Sequence, residues 1–456
     1  MNPSFRATND AMKLYVQTWG CQMNQLDSAR IVQLMKSADY EPTDHVDDAD
    51  LIILNTCSVR DKAEQKVYSA LGRWRKLKEE KGVILGVGGC VAQQEGEALL
   101  RRAPHLDLVF GTHNMHKLPQ MVEEAREVAR RSVETAFYRD PFYLEDPLGL
   151  PETDGAKAYV TIMQGCNKVC SFCIVPRVRG REVSRASENV ARDVEELVRC
   201  GVKEVMLLGQ NVNSYGRTVE GERSFPELLE RINGIPGIRR IRFTTSHPQD
   251  LSPELVDAFV RLENLCEHLH LPLQSGSDSV LTRMRRGYRL DEYMGRINEL
   301  RRRRPDVAIS TDMIVGFPGE TEAEFEETLS VVREIGYDDM FIFTYSPRPH
   351  TVAAKVYDDD IPEEVKGDRC RRLQELQKSI ALRKNRSLIG AELEILVEGP
   401  SRLGRDQLMG RTRTNRIVNF TPNEATVPAE IARVRVVDAT PNSLVGEAIE
   451  AREVMQ

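Results

Sequence analysis

The chain has 456 residues, 41% of them hydrophobic and 29% charged, with a formal net charge of −7. That length supports two or three domains with cores of their own. The acidic balance excludes a globally basic nucleic-acid binder, so any such contact has to come from local patches. There is no apolar N-terminal leader and no run near the roughly 18 apolar residues that cross a bilayer, which predicts a cytoplasmic protein with no membrane segment. Nine cysteines in a reducing compartment favour thiolate ligands over disulfides.

The first segment, residues 1–135, alternates short β-like runs with helical patterns. The runs are Leu14–Thr18, Leu51–Leu54 and Val83–Val87, and the helical stretches include Ser28–Ala38 and Val59–Lys81. Alternation of this kind predicts a parallel sheet with covering helices. Each run is followed within a few residues by a cysteine: Cys21, Cys57 and Cys90. Ligands of open α/β sheets gather at strand carboxyl ends, so three thiols far apart in the chain are expected to converge there and hold a cluster with one open iron. The plainer alternative is three unrelated buried thiols.

Residues 136–156, rich in Pro, Gly and acid, read as a linker. The second segment, 157–386, opens with the run Ala158–Met163 and then Cys166-Asn-Lys-Val-Cys170-Ser-Phe-Cys173. Three thiolates this close can hold three irons of a cubane cluster and leave the fourth free to bind a small molecule. A zinc knuckle or disulfide is the alternative, but zinc usually takes four ligands in paired half-sites, and no partner half-site lies nearby. Five further strand-like runs follow: Glu204–Leu208, Arg240–Thr244, Leu269–Leu273, Ala308–Val315 and Met340–Tyr345. Six βα units predict a partial (βα)6 barrel, whose working rim is the carboxyl end of its strands. The residues there are polar or glycine-rich, among them Gln210, Asn211, His247 and Gly316–Glu320, and beside the cysteines they read as a pocket. Arg177, Arg179 and Arg181 are either surface charge or neutralise an anionic group. The runs Arg283–Arg289 and Arg301–Arg304 are either solvated helix faces or phosphate contacts.

The third segment, 388–456, reads as five short strands: Glu392–Glu398, Asp406–Gly410, Ile417–Phe420, Ala432–Val437 and Ser443–Glu450. They predict a small antiparallel barrel. Arg402, Arg405, Arg411, Arg413 and Arg416 give it a basic face suited to RNA, against the alternative of a charged scaffold or dimerisation module. Cys200, Cys266 and Cys370 have no partners in sequence and read as structural.

The CxxxCxxC spacing, with Phe172 before the last cysteine, resembles the signature of radical S-adenosylmethionine (SAM) enzymes, and nearly the whole chain resembles the radical SAM methylthiotransferase family. Several stretches are similar to one tRNA-modifying branch of it: Thr18–Asn24, Asn55–Gln65, Cys173–Glu182, Leu208–Tyr215 and Val397–Arg402, with Asp406–Arg411 and Asn415-Arg416. One departure is His350, where the resemblance predicts glycine before Thr351. The resemblance implies two [4Fe-4S] clusters, one on Cys166, Cys170 and Cys173 that cleaves SAM and one on Cys21, Cys57 and Cys90 that carries the sulfur. Gln210, Asn211, Gly316, Glu320 and Arg181 are then the candidate SAM contacts. The implied reaction exchanges the C2–H of an N6-dimethylallyladenosine beside the tRNA anticodon for C–SCH3, with one SAM as methyl donor and another as radical source. The last segment then resembles a TRAM domain that grips the anticodon arm. The implied partners are an electron donor such as a flavodoxin or ferredoxin and a sulfur or cluster supply system. The rivals are a sister enzyme acting on a ribosomal-protein aspartate or a threonylcarbamoyl-adenosine tRNA, and a non-catalytic iron–sulfur protein that binds RNA or senses redox state.

Overall fold

The computed structural model describes residues 11–58, 63–138, 144, 155–404 and 406–449. The chain divides into two compact units. One comprises Met1–Glu152 with Gln164–Cys166 and Ile174–Val183; the other comprises Thr153–Met163, Asn167–Cys173 and Ser184–Gln456. Most of the expected linker, residues 139–143 and 145–154, lies outside the described residues.

The first unit is built on a six-stranded sheet, parallel throughout, in the order Tyr40–Pro42, Met12–Trp19, Leu51–Thr56, Ile84–Gly89, Leu108–Phe110, Ser132–Glu134. Leu51-Ile-Ile-Leu54 is a strand because both its faces are buried, which suits an unbroken apolar run. Ile52 and Leu54 pack with Val67, Leu71 and Trp74 of the helix Ala63–Lys81. Leu51 and Ile53 pack on the other face with Ile31 and Met35 of Gln22–Lys36 and Leu118 and Met121 of Leu118–Val128. The order of the strands reverses between Met12–Trp19 and Leu51–Thr56, and doubly wound sheets place their ligands at such a switch point.

The second unit carries six parallel strands, Lys157–Thr161, Glu204–Leu208, Arg240–Phe243, His268–His270, Ala308–Val315 and Asp339–Thr344. They run side by side in chain order as two three-stranded sheets, with one bridge between Ile241 and Leu265. This is the open six-stranded barrel expected from the sequence. The fourth strand is shorter than Leu269–Leu273 because its continuation is drawn off the ladder: Pro272 has no N–H to give, and the hydroxyls of Tyr293 and Tyr288 donate to the carbonyls of Leu271 and Leu273 at 2.8 Å each.

The helix Glu363–Arg386 leads into a closed five-stranded barrel, ordered Glu392–Pro400, Leu408–Thr412, Ile417–Thr421, Leu444–Ile449, Ile431–Ala439. Its pairings are antiparallel except for the parallel pair formed by Ile417–Thr421 and Leu444–Ile449. Ile395, Val397, Val418, Phe420, Val434 and Leu444 fill it. Among the described residues no helix is long and apolar enough to cross a membrane.

Candidate functional site

The first three cysteines stand where their strands end. Cys21 is the N-cap of the helix Gln22–Lys36, Cys57 follows Leu51–Thr56, and Cys90 opens the short helix Cys90–Glu95. Cys57 and Cys90 are buried and Cys21 is exposed. The Cys57 thiol hydrogen-bonds Cys21 and, with Arg179, outweighs the desolvation of Cys21 and draws it down to about 6. Burial pushes Cys90 up. The thiolate is the form that ligates metal, and Cys21 is more readily ionised than Cys90.

A polar scaffold fixes these strand ends. Asn24 Nδ2 donates to Asn55 Oδ1 and to the Thr56 carbonyl, both at 3.2 Å. Asn55 Nδ2 donates in turn to the Asn24 carbonyl and to Ser28 Oγ at 2.9 Å. Thr56 Oγ1 donates to the Gly88 carbonyl at 3.0 Å. Gly89 has φ +87, and a Cβ there would meet Asn55 Oδ1 at 2.4 Å. Only glycine therefore delivers Cys90 to this place.

Arg179, from the segment Ile174–Val183, completes the environment. Its Nη2 donates to Asp27 at 2.7 Å with both groups buried, and its Nη1 donates to Gln164 Oε1 at 3.3 Å. Burial opposes its charge, but Asp27, Cys90 and Cys21 outweigh that cost. The backbone of the segment is held as well: Thr112 Oγ1 donates to the Val178 carbonyl at 2.7 Å. His113 Nδ1 accepts from the Tyr138 N–H at 3.1 Å, so Nε2 carries the proton and donates to the Arg179 carbonyl at 3.0 Å. Burial lowers His113 to about 4, which keeps it neutral. The sequence offered Arg179 as one of three alternatives and offered Asp27, Asn24, Asn55 and His113 not at all.

In the second unit, Ser171 latches the loop between Cys170 and Cys173. Its N–H donates to the Met284 carbonyl at 2.9 Å, its hydroxyl donates to the Arg283 carbonyl at 2.8 Å, and its own carbonyl accepts from Ala353 at 2.7 Å. Buried Arg286 donates to Cys170 Sγ at 3.2 Å and to the Pro272 carbonyl at 2.8 Å. Cys166, Cys170 and Cys173 are all partly exposed. Among the described residues no group of three or more His, Cys, Asp or Glu side chains is drawn together closely enough to hold a metal ion. Even so, thiols of this number, an arginine beside each set and uncommitted buried polar atoms nearby fit thiolate-held anionic clusters. Among the described residues, Gln164 Nε2, Asn211 Oδ1 and His247 Nε2 are buried without a hydrogen-bond partner.

The strand-end residues fall into two groups. Asn211 Nδ2 donates to Asp250 Oδ2 at 2.8 Å, and Asp250 also pairs with Lys168 at 2.9 Å. Its orphan Oδ1 remains for a ligand. His247 is neutral, lowered to about 2 by burial and then by Arg286 and Lys168. Thr245 and Gln274 hold positive φ values of 70 and 79 two and four residues after their strands, a strain that clusters at functional sites. By contrast, Glu320 turns inward: it accepts from Gly316 N at 2.6 Å and pairs with Arg369 at 3.0 Å, so it braces the glycine turn. Gly316 is itself obligatory, with φ +70 and Lys366 Cγ 2.3 Å from where a Cβ would stand. Gln210 is half-buried and Arg181 exposed. His350, the departure noted in the sequence, takes φ +68, the region where glycine is at ease.

The barrel arginines have other work than the sequence suggested. Arg413 donates to Glu267 at 2.8 Å and to the Leu265 carbonyl at 2.9 Å. Arg416 pairs with Asp338 at 2.5 Å, and Arg411 lies 3.4 Å from Glu398. From the opposite side, Arg240 donates to the Arg411 carbonyl at 2.8 Å and Arg242 to the Thr412 and Arg413 carbonyls at 2.6 and 2.8 Å. The turn between Leu408–Thr412 and Ile417–Thr421 is thus clamped onto the amino-terminal ends of the parallel strands. Arg402 is exposed, and Arg405 lies outside the described residues. The run Arg301–Arg304 is likewise engaged, with Arg302 on Glu299 and Arg304 on Glu267 at 2.7 and 2.6 Å.

Three family models match the chain in succession: an uncharacterized protein family, UPF0004, over residues 13–111, the radical SAM superfamily over 160–332 and the TRAM domain over 386–449. The fold is similar to that of a radical S-adenosylmethionine methyltransferase, TsrM, from Kitasatospora setae, solved with cobalamin and a [4Fe-4S] cluster bound. The TM-score is 0.56 at 13% identity, covering 75% of this chain and 77% of that one. Fold and cysteine motif together define a radical SAM protein. Among curated proteins, the tRNA-2-methylthio-N(6)-dimethylallyladenosine synthase of Geobacter metallireducens is 51% identical, covering 95% of this chain and 98% of its own. Those of Moorella thermoacetica and Myxococcus xanthus are each 48% identical over 95% and 96% of this chain, and 97% and 94% of theirs. The chain belongs to the family of tRNA-2-methylthio-N(6)-dimethylallyladenosine synthases.

Proposed function

We propose that this enzyme replaces the C2–H of N6-dimethylallyladenosine beside the tRNA anticodon with a methylthio group. The observation that supports the reading is the placement of Cys21, Cys57 and Cys90 just after three adjacent strands of one parallel sheet, in a chain that carries a second, separate CxxxCxxC triad. An aromatic C–H is not acidic enough for an ordinary general base, so the reaction calls for a radical generator. When bound, a cluster on Cys166, Cys170 and Cys173 supplies the electron that splits SAM, and one on Cys21, Cys57 and Cys90 supplies the sulfur.

The protein's own part is electrostatic and positional. Arg179 favours the ionised form of Cys21, and Arg286 places its guanidinium against Cys170 Sγ. Ser171 and the Asn24–Asn55 pair fix the loops that present the thiols. Asn211 Oδ1 and the neutral His247 ring are the uncommitted polar groups for SAM on the rim. The C-terminal barrel contributes tRNA affinity through its exposed residues, Arg402 among them. A small electron-transfer protein of the flavodoxin or ferredoxin kind reduces the enzyme, a sulfur or cluster supply system charges it, and the reaction takes place in the cytoplasm.

The test is anaerobic reconstitution with iron and sulfide, followed by SAM, a reductant and three substrates: dimethylallyl-modified tRNA, unmodified tRNA and a ribosomal-protein peptide. Mass spectrometry is expected to show a methylthio gain on the dimethylallyl adenosine alone. SAM cleavage without that gain would move the reading to a sister substrate.

A further inference from the structure

The face of the six-stranded barrel that points away from the helices is polar and closed at the strand starts, where Arg240 and Arg242 are spent on the carbonyls of residues 411–413. Phe341 and Phe343 stand at i and i+2 of the edge strand Asp339–Thr344 and are 51% and 40% exposed. An uncovered aromatic pair on an edge strand is a liability that a protein keeps only for use. Phe341 is register-paired with Asp312 and Phe343 with Ile314, two residues before Gly316. The His270 ring meets Phe341 edge-on, with centroids 6.0 Å apart, and its Nε2 lies 3.5 Å from Asp312 Oδ1. Ser310 Oγ holds the other nitrogen of that ring at 3.0 Å.

We infer that Phe341, Phe343, His270 and Asp312 form the wall that receives the dimethylallyl-bearing adenine and enforces the requirement for that substituent. The inference rests on the proposed function and names a specificity surface for it. The occupant follows from chemistry. N6-dimethylallyladenine offers a flat π-face, a five-carbon apolar branch and a single remaining N6–H donor. The wall offers two phenyl rings for the face and branch, and a carboxylate braced by an imidazole to accept from N6–H. C2 and C6 flank N1 in one six-membered ring, so anchoring the N6 group fixes the direction of the C2–H. An unmodified adenine would leave the phenyl rings without the branch they cover.

The experiment is a binding measurement on the cluster-loaded full chain with SAM. It uses two anticodon stem-loop RNAs that differ only in the N6-dimethylallyl group. The wild type is expected to prefer the modified RNA, and Phe341→Ala with Phe343→Ala to lose about tenfold in affinity for it, the scale of one base–aromatic contact. Affinity for the unmodified RNA, which has only the π-face to lose, is expected to fall clearly less, so that the preference narrows, which a merely structural role would not give. Phe341→Leu with Phe343→Leu keeps apolar area and should retain part of the preference; that pair serves as the comparison if the alanine protein does not load iron. Equal losses on both RNAs, or no loss on either, would overturn the wall. A wild type with no preference at all would overturn the substrate reading on which the wall rests.

Discussion

Asp27 and Arg179 lie 152 positions apart, yet form a buried pair at 2.7 Å beside Cys21 and Cys90. Removing one member of such a pair strands the other's charge, at a cost of about 3–5 kcal/mol. Asp27→Ala is therefore expected to lower the urea midpoint of the first unit and to reduce bound iron from two clusters' worth towards one. Unchanged iron content would show that Arg179 holds its place without Asp27. His113 brings a pH dependence with a definite sign. Its folded value of about 4 lies below the ordinary 6.5, so in that window the unfolded chain binds a proton the folded one refuses. Stability is full above roughly pH 6.5 and falls as the pH drops, by about 3 kcal/mol once pH 4 is reached. Buried His247 and half-buried His268 act in the same direction. The check is chemical denaturation from neutral to mildly acid pH, where His113→Gln, which can still accept and donate, should show the shallower dependence.

At the scale of elements, the sequence was most legible where one residue pattern decides the outcome. Glu204–Leu208 and Ala308–Val315 match the expected runs because apolar and β-branched residues there answer to burial alone. The three-residue strands Tyr40–Pro42, Leu108–Phe110 and Ser132–Glu134 were missed because they are too short to carry a period; their neighbours in the sheet recruit them. The cysteine positions could be read because strand ends could be read, whereas Asn24, Asn55 and Asp27 take their meaning from partners no spacing reveals. The ion pairs of the arginine cluster were hidden for the same reason: Glu267 and Asp338, which hold Arg413 and Arg416, are remote in sequence. These roles can be separated by experiment. Arg413→Ala should destabilise the second unit, since it leaves Glu267 with Arg304 as its remaining ion-pair partner, and should leave the salt slope of tRNA binding nearly unchanged. Arg402→Ala should instead lower that slope by about one with little change in stability. A lower slope from Arg413→Ala would return that residue to the RNA surface.

For the whole molecule, the proposed function divides the work between the two cysteine triads and asks the C-terminal barrel, anchored at the strand starts, to contact RNA as well. The clamped turn at residues 411–416 ties the C-terminal barrel to the strand starts, so its loss should damage the six-stranded core as well as weaken tRNA binding. The central claim is the division of labour between the triads, and Cys57→Ala tests it most directly. In one anaerobic assay with SAM, reductant and dimethylallyl-modified tRNA, both 5′-deoxyadenosine and methylthio product are measured. The account predicts that 5′-deoxyadenosine is still formed while the methylthio product disappears, and that Cys170→Ala loses both. Normal methylthio product from Cys57→Ala, or loss of SAM cleavage with the CxxxCxxC cluster intact, would contradict it.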